Sequence, residues 1–319
     1  MDAGLKILLG ATVADAAARP LHWVYDSKKL KSFIKGKKDI AFFKENKSPF
    51  YSILTGEISG YNDMAQVMFK TIISSKKKSE ILENFKKNIV KHFGPGSNYW
   101  RSLKQRKKYK KVKWKKPING PWIHQNFIET IKNIKSKKKY TGGIKVNESD
   151  GFCGALPYYF LVSKDEKEVK KIIRTVANSK INEVYGLARL KIINLANQGE
   201  QNPVQKFVKL NNKNRYFKEA VLGIKKVLRY KKHNHISVCA RLGKACSDPS
   251  NFFSAIHCII TSKNYKSAII KTIKAGGCNC SRANFAGAYF VAYKGFKNIP
   301  SSWIKKTLPA KKILSLHNF

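Results

Sequence analysis

Two cysteines, Cys278 and Cys280, stand one residue apart in "AGGCNCSRANFAG" (Ala275 to Gly287), between a glycine pair and an apolar run. Thiols so placed could form a redox pair, half of a metal site, or the remnant of a site that once held other ligands. Structural zinc takes four ligands, usually with wider cysteine spacing and a second pair elsewhere. None of His22, His124, His233, His235 and His257 has a spacing that points at this turn. A thiol role fits better. The helical pattern after Ser281 puts both cysteines at a helix N-terminus, where free N–H groups and the dipole stabilise an anion. Arg282 pushes the same way, so at least one thiol is expected to have a depressed pKa. A disulfide closed over one residue would be strained and easily reduced, which suits redox cycling. The competing reading is that both cysteines simply fill small half-buried positions. Cys153, Cys239, Cys246 and Cys258 lack this context and read as core residues, as does His257.

Two other segments could line a pocket. Asp15 in "VADAAARP" is either a pocket carboxylate or a helix-end residue with a hydrogen-bond partner. "FGPGSNYW" (Phe93 to Trp100) is a rigid turn whose Gly94 and Gly96 could also border a ligand cleft.

The elements that must position these groups are helical. "SKDEKEVKKIIRTVANS" reads as a helix with a capping box from Ser163 to Glu166 and a stripe of Val169, Ile172, Ile173 and Val176. "SEILENFKKNIVKHFGPG" reads similarly, with Ser79 as N-cap and Gly94-Pro95 as its stop. "NYKSAIIKTIKAGG" ends on Gly276, and a helix over Leu5 to Arg19 ends at Pro20. No period-2 strand or internal repeat is evident. The lysine-rich stretches 102–119 and 136–148 read as loops. The expectation is a single all-α domain spanning 1–319.

Sixty-four basic residues against nineteen acidic ones give a net charge of +45, which would attract any polyanion. "KQRKKYKKVKWKKP" (Lys104 to Pro117) carries Tyr109 and Trp114, which could stack on bases. Only nine basic residues are arginine, the residue that bidentate phosphate contacts favour, and the lysines run along the whole chain. Non-specific polyanion binding is therefore expected, without a dedicated nucleic-acid partner. No run reaches the roughly 18 apolar residues of a membrane span. With six cysteines and no disulfide framework, the reading is a soluble, cytoplasmic protein.

Three segments in order resemble the ADP-ribosylglycohydrolase family. "GATVADAAARPLHWVYD" (Gly10 to Asp26) is similar to its opening Gly-x-x-x-Gly-Asp-Ala helix, with Ala14 replacing the second glycine. "GYNDMAQVMF" (Gly60 to Phe69) stands at its Thr-Asp-Asp-Thr-Gln-Met motif, and "GGCNCSRANFAG" at its Gly-Gly-Asp-x-Asp-Thr motif. "FGPGSNYW", "GPWIHQNF" and "GGCNCSRANF" resemble most the J-type crystallin and selenoprotein J branch, where selenocysteine can occupy the first position of Cys-x-Cys. "GKACSDPSNFFSAIH" resembles that branch too, with Asp248 where a hydrophobic residue is usual.

The resemblance implies an all-α fold in which two Mg²⁺ ions orient ADP-ribose and a water. Asp63 would keep one ligand carboxylate, while Asn62 and Met64 replace the neighbouring Thr and Asp. Cys278 and Cys280 stand in place of two more aspartates, and Ser281 keeps a hydroxyl. Thiolates are poor magnesium ligands. The implied protein therefore has a degraded magnesium site, with Asp63 a vestigial metal ligand, and no cofactor unless Mg²⁺ binding is partly retained. It would be structural or ligand-binding, with Asp15, Asn62, Asn279, Ser281, Gly94 and Gly96 around ADP-ribose or a related nucleotide. The alternatives are a thiol-redox protein using Cys278 and Cys280, or a residual ADP-ribosyl hydrolase with Asp63, Cys278 and Cys280 as catalytic candidates.

Overall fold

The first helix is set by Asp2, whose carboxylate accepts from the N–H groups of Gly4 (2.7 Å) and Leu5 (3.3 Å). From there a run of alanine, leucine and valine continues as α1 (Ala3–Ala18), until Pro20 forces the chain into a short 3₁₀ turn over Arg19–Leu21. The computed structural model describes residues 1–111 and 117–315, so Trp114 and the side chain of Tyr109 lie outside the described residues.

Sixteen further helices follow among the described residues. They are α2 (Ser27–Ile34), α3 (Gly60–Ser74), α4 (Ile81–Phe93), α5 (Asn98–Lys111), α6 (Gln125–Lys135), α7 (Asp150–Leu161), α8 (Glu166–Val176) and α9 (Lys180–Asn197). Then come α10 (Pro203–Asn211), α11 (Lys218–Arg229), α12 (His235–Leu242), α13 (Ser250–Ile260), α14 (Tyr265–Ala275), α15 (Asn279–Lys294), α16 (Ser301–Lys306) and α17 (Ala310–Ser315). Two parallel two-residue strands, β1 (Tyr51–Ser52) and β2 (Ile118–Asn119), tie together the loops before α3 and α6. The fold is all-α, as the sequence implies.

Helices α1 and α15 are buried on every side, a pattern reserved for the centre of a bundle. They run antiparallel: Gly10 meets Gly287 and Val291, while Asp15 meets Cys280 and Asn284. Glycine makes that closeness possible. A Cβ on Gly10 would sit 2.8 Å from the Gly287 carbonyl oxygen, and one on Gly287 would press into the Gly10 carbonyl. Around this pair pack α3, α7, α9, α13 and α14. Deep in the shell, Arg189 of α9 forms a two-pronged ion pair with Asp248 (2.8 and 2.6 Å), both side chains buried. That partner explains how a carboxylate is tolerated at a position where a hydrophobic residue is expected.

The structure corrects several local expectations. The stretch 102–111 belongs to α5 rather than a loop, since Lys, Arg and Gln are good helix formers and Leu103 anchors one face in the core. There is no Ser163–Glu166 capping box. The N-cap of α8 is Asp165, whose carboxylate accepts from Glu168 N–H at 2.9 Å, a stronger acceptor than a serine hydroxyl. Ser79 lies within a 3₁₀ turn, Lys78–Glu80, ahead of α4. The stops at Gly94 and Gly276 are where the sequence puts them.

Because α1 and α15 touch through bare backbone, Gly287→Val is expected to cost about 1–3 kcal/mol or more by overpacking. Urea unfolding measures this, and an unchanged midpoint would contradict the close-contact account.

Candidate functional site

Asp15 sits at the junction of three helices. Its Oδ1 accepts from the Ser59 N–H (2.6 Å), and Oδ2 accepts from the Ser59 hydroxyl (2.7 Å) and Asn284 Nδ2 (2.5 Å). Asn284 Oδ1 accepts from Asn62 Nδ2, Asn62 Oδ1 accepts from Gln66, and Gln66 also donates to Thr12. This network fixes the start of α3 against α1 and α15. Burial raises the Asp15 pKa to about 6, against the lowering effect of its hydrogen bonds.

From that fixed start, successive residues of α3 turn about 100° each, so Tyr61 and Asp63 point in roughly opposite directions. Tyr61 faces a closed polar cluster. Asp63 faces an open cavity. The structure therefore does not bring Asp63 and the Cys278–Ser281 turn together.

The closed cluster is assembled by backbone pairing. Trp23, at φ 63°, donates its N–H to Gly277 O and the Gly277 N–H returns to Val24 O, both at 2.8 Å. Gly276 and Gly277 have φ of 72° and 64°, conformations that favour glycine. The pairing sets His22 beside Cys278, with Nε2 3.4 Å from Sγ. Cys278 N–H donates to Lys244 O at 2.8 Å, which draws in the segment carrying Cys246. The Cys278 sulfur adjoins the Cys246 thiol, lies 3.5 Å from Tyr61 Oη, and accepts from Ser281 Oγ at 3.1 Å. His22 Nδ1 is 2.9 Å from the Tyr51 hydroxyl. Burial keeps His22 below its usual pKa, so Nε2–H facing sulfur and Nδ1 accepting from Tyr51 is the tautomer that satisfies both.

Cys278 is the N-cap of α15, and Cys280 lies in its first turn. The two thiols differ. Burial opposes charging Cys278, but Cys246, His22 and Ser281 outweigh it and hold its pKa well below the ordinary thiol value. Burial and the nearby Asp15 push Cys280 well above it, and its sulfur points at the Asp15 carbonyl (3.9 Å). Cys246 is not the core residue expected. It is half-buried, with Trp23 Nε1 donating to its sulfur at 3.1 Å. Arg282, expected to act on the thiols, instead spends its guanidinium on the Gly276 and Lys244 carbonyls.

Tyr61 also reaches Glu148 Oε2 at 3.5 Å, which joins the cluster to a second group. His124 Nδ1 lies 2.7 Å from Asp150 Oδ1 and 3.8 Å from Glu148 Oε2. One ligand atom from each of the three falls within 4.8 Å of the others, so this trio could hold a metal ion. Burial opposes protonation of His124, but Asp150 prevails and its pKa rises to about 9. Burial and Asp150 raise that of Glu148 to about 8. Gly60 lets α3 approach here, since a Cβ would sit 2.9 Å from His124 Nε2.

On the opposite side of α3, a cavity of about 1050 Å³ is bordered by Asp63, His92, Tyr99, Gln66, Gly96 and Lys70. Tyr99 Oη donates to Asp63 Oδ2 at 2.7 Å, and His92 Nε2 lies 3.3 Å from Oδ1. Burial opposes ionisation of Asp63, yet His92 and Tyr99 hold its pKa below the usual value. Gly96 (φ 91°) lines this space, whereas Gly94 turns its Cα against the Val90 carbonyl. Asn279 donates to Ala18 O and Leu21 O, pinning α15 to the end of α1. Of the aromatic residues near the motifs, Tyr61 belongs to the thiol cluster, Trp100 borders a smaller cavity, and Phe152 packs against Phe285.

Sequence reasoning missed His22, Cys246 and the His124–Glu148–Asp150 trio. The segments "PLHWVYD", "GPWIHQNF" and "GKACSDPSNFFSAIH" carry His22, His124 and Cys246, but nothing local in them points to the partners that packing brings up.

An all-helical protein whose opening and closing motifs converge on one polar centre defines the class. The chain belongs to the ADP-ribosylglycohydrolase family, whose family model matches residues 2–318. It is 26% identical to Crystallin J1A of Tripedalia cystophora over 318 residues, covering 98% of this chain and 94% of that protein. It is 25% identical to Crystallin J1B of the same organism over 320 residues, with the same coverage. A solved structure, an ADP-ribosylglycohydrolase-related protein complex, shares the fold with a TM-score of 0.60 at 11% identity, over 99% of this chain and 95% of that one. Among the described residues, no helix is long and apolar enough to cross a membrane.

Two measurements test the site. The Asp15 pKa exceeds its unfolded value, so the native state binds the extra proton between roughly pH 4 and about 6. Stability from this group is full below that window and falls by about 3 kcal/mol as pH rises through it. Wild type and Asp15→Asn should diverge across that window in urea unfolding, and parallel curves would refute the assignment. Separately, thiolate ultraviolet absorbance at neutral pH should vanish in Cys278→Ser and persist in Cys280→Ser. In His22→Gln it should appear only at higher pH.

Proposed function

We propose that this chain is a ligand-binding member of its family, holding an anionic nucleotide-like molecule such as ADP-ribose in the Asp63 cavity without two-magnesium hydrolysis. One observation carries the reading: a cavity of about 1050 Å³ whose wall includes Lys70, Lys91, Arg101 and Lys312 alongside the positioned carboxylate of Asp63. The cations suit phosphate groups, and Asp63, fixed by Tyr99 and His92, can accept hydrogen bonds from ribose hydroxyls.

The donors expected to hold two magnesium ions do not fit that task. Asp63 faces the cavity, away from Cys278 and Cys280, which offer sulfur rather than the oxygen that hard Mg²⁺ requires. Met64 is fully buried and apolar. The His124–Glu148–Asp150 trio is a separate donor set, better matched to a metal that accepts imidazole. The excess of cations also favours non-specific, salt-sensitive association with polyanions, and six free cysteines suit a reducing, intracellular compartment.

A purely structural role is the second reading, favoured by similarity to two proteins named crystallins over nearly the whole chain. Calorimetric titration with ADP-ribose separates the two. Ligand binding predicts saturable heat that weakens with salt, persists in chelator, and weakens roughly tenfold in Arg101→Ala. Absence of heat at millimolar ligand would leave the structural role. Magnesium-dependent release of ADP-ribose from a modified peptide, abolished by Asp63→Ala, would instead establish residual hydrolysis.

A further inference from the structure

The geometry points to Cys246 and Cys278, rather than Cys278 and Cys280, as a reversible dithiol–disulfide pair. This goes beyond the ligand-binding reading and uses a different face of α3.

Three features converge on the pair. The two thiols adjoin one another, with Tyr61 Oη 3.5 Å from the Cys278 sulfur and Trp23 Nε1 3.1 Å from that of Cys246. The backbone holds them there: Cys278 N–H donates to Lys244 O at 2.8 Å, and Gly277 packs on Lys244 too closely to carry a Cβ. Finally, the two thiols are unlike. Cys278 is fully buried among His22 and Ser281, while Cys246 is half-buried under Trp23 and Tyr25, and Tyr25 is 41% exposed. Cys246 is thus the sulfur that a small oxidant reaches, and Cys278 the one positioned to complete the exchange. Cys280 points elsewhere, toward the Asp15 carbonyl.

The oxidant required is a low-molecular-weight disulfide. Cys246 attacks one sulfur of the reagent and expels the first small thiolate, which takes up the proton Cys246 loses. Cys278, already a thiolate, then attacks the Cys246 sulfur, expelling the second small thiolate. Two protein thiols are oxidised to one disulfide, and one small disulfide is reduced to two small thiols. A reducing thiol reverses both steps.

The test is thiol mapping of the folded wild-type chain after exposure to glutathione disulfide. Two of the six cysteines should become unavailable to alkylation in denaturant, and all six should return after dithiothreitol. Fragment spectra must place the bridge between Cys246 and Cys278, since tryptic peptides here also contain Cys258 and Cys280. The bridge should persist in Cys280→Ser and Cys258→Ser and be lost in Cys246→Ser and Cys278→Ser. A Cys278–Cys280 bridge, a stable glutathione adduct on Cys246 without a bridge, or six unreacted thiols would each overturn the inference. Wild-type mapping alone decides the matter if a variant does not fold.

Discussion

The buried Asp15 carboxylate is the constraint on which the site depends. It is held on α1, receives the first N–H and hydroxyl of the α3 entrance from Ser59, and receives Asn284 of α15. A carboxylate without those donors would be intolerable at that depth. With them it locks the starts of two helices from opposite ends of the chain onto one central helix. The glycine contact between α1 and α15 makes the approach close enough for those hydrogen bonds to form.

Once α3 starts at a fixed point, helical geometry divides the candidate residues. Tyr61 goes to the thiol cluster and Asp63 to the open cavity, although they are two residues apart. A closed polar cluster and an open cavity therefore share one helix without sharing a space. The thiol side is closed by aromatic rings, with Trp23 stacked on His22 and edge-on to Phe50, Tyr51 and Trp122. In so dry a setting, each hydrogen bond to Cys278 counts for more than it would in water. The Asp63 side is wide and ringed by cations, conditions suited to a charged, water-soluble ligand.

The chemical asymmetry of the two neighbouring cysteines comes from helix position as much as from partners. Cys278, as N-cap, leaves the helix axis and meets side chains from distant segments. Cys280, two residues on, is buried against α1 and faces the Asp15 backbone carbonyl, with the Asp15 carboxylate and Ser59 close by. Spacing alone made them look like a pair; the turn of the helix sends them to different neighbours.

Much of the fold was legible in the sequence because helix signals are local. The alanine-rich run ending at Pro20, the stripe in α8 and the stops at Gly94 and Gly276 each lie within a few residues of their cause. Misreadings were local as well: a loop expected where α5 forms, and a capping box displaced by Asp165. The motifs at Asp15, Asp63 and Cys278 were visible by resemblance. What the sequence could not contain was which side chains meet. His22 and Cys278 are 256 residues apart in the chain, and the opposite facing of Tyr61 and Asp63 depends on where α3 begins. Sequence by itself determined the helices and the kinds of chemistry available. Tertiary structure alone decided that Cys278 meets His22 and Cys246 while Asp63 meets Tyr99 and His92, because those contacts arise from long-range packing that no local pattern encodes.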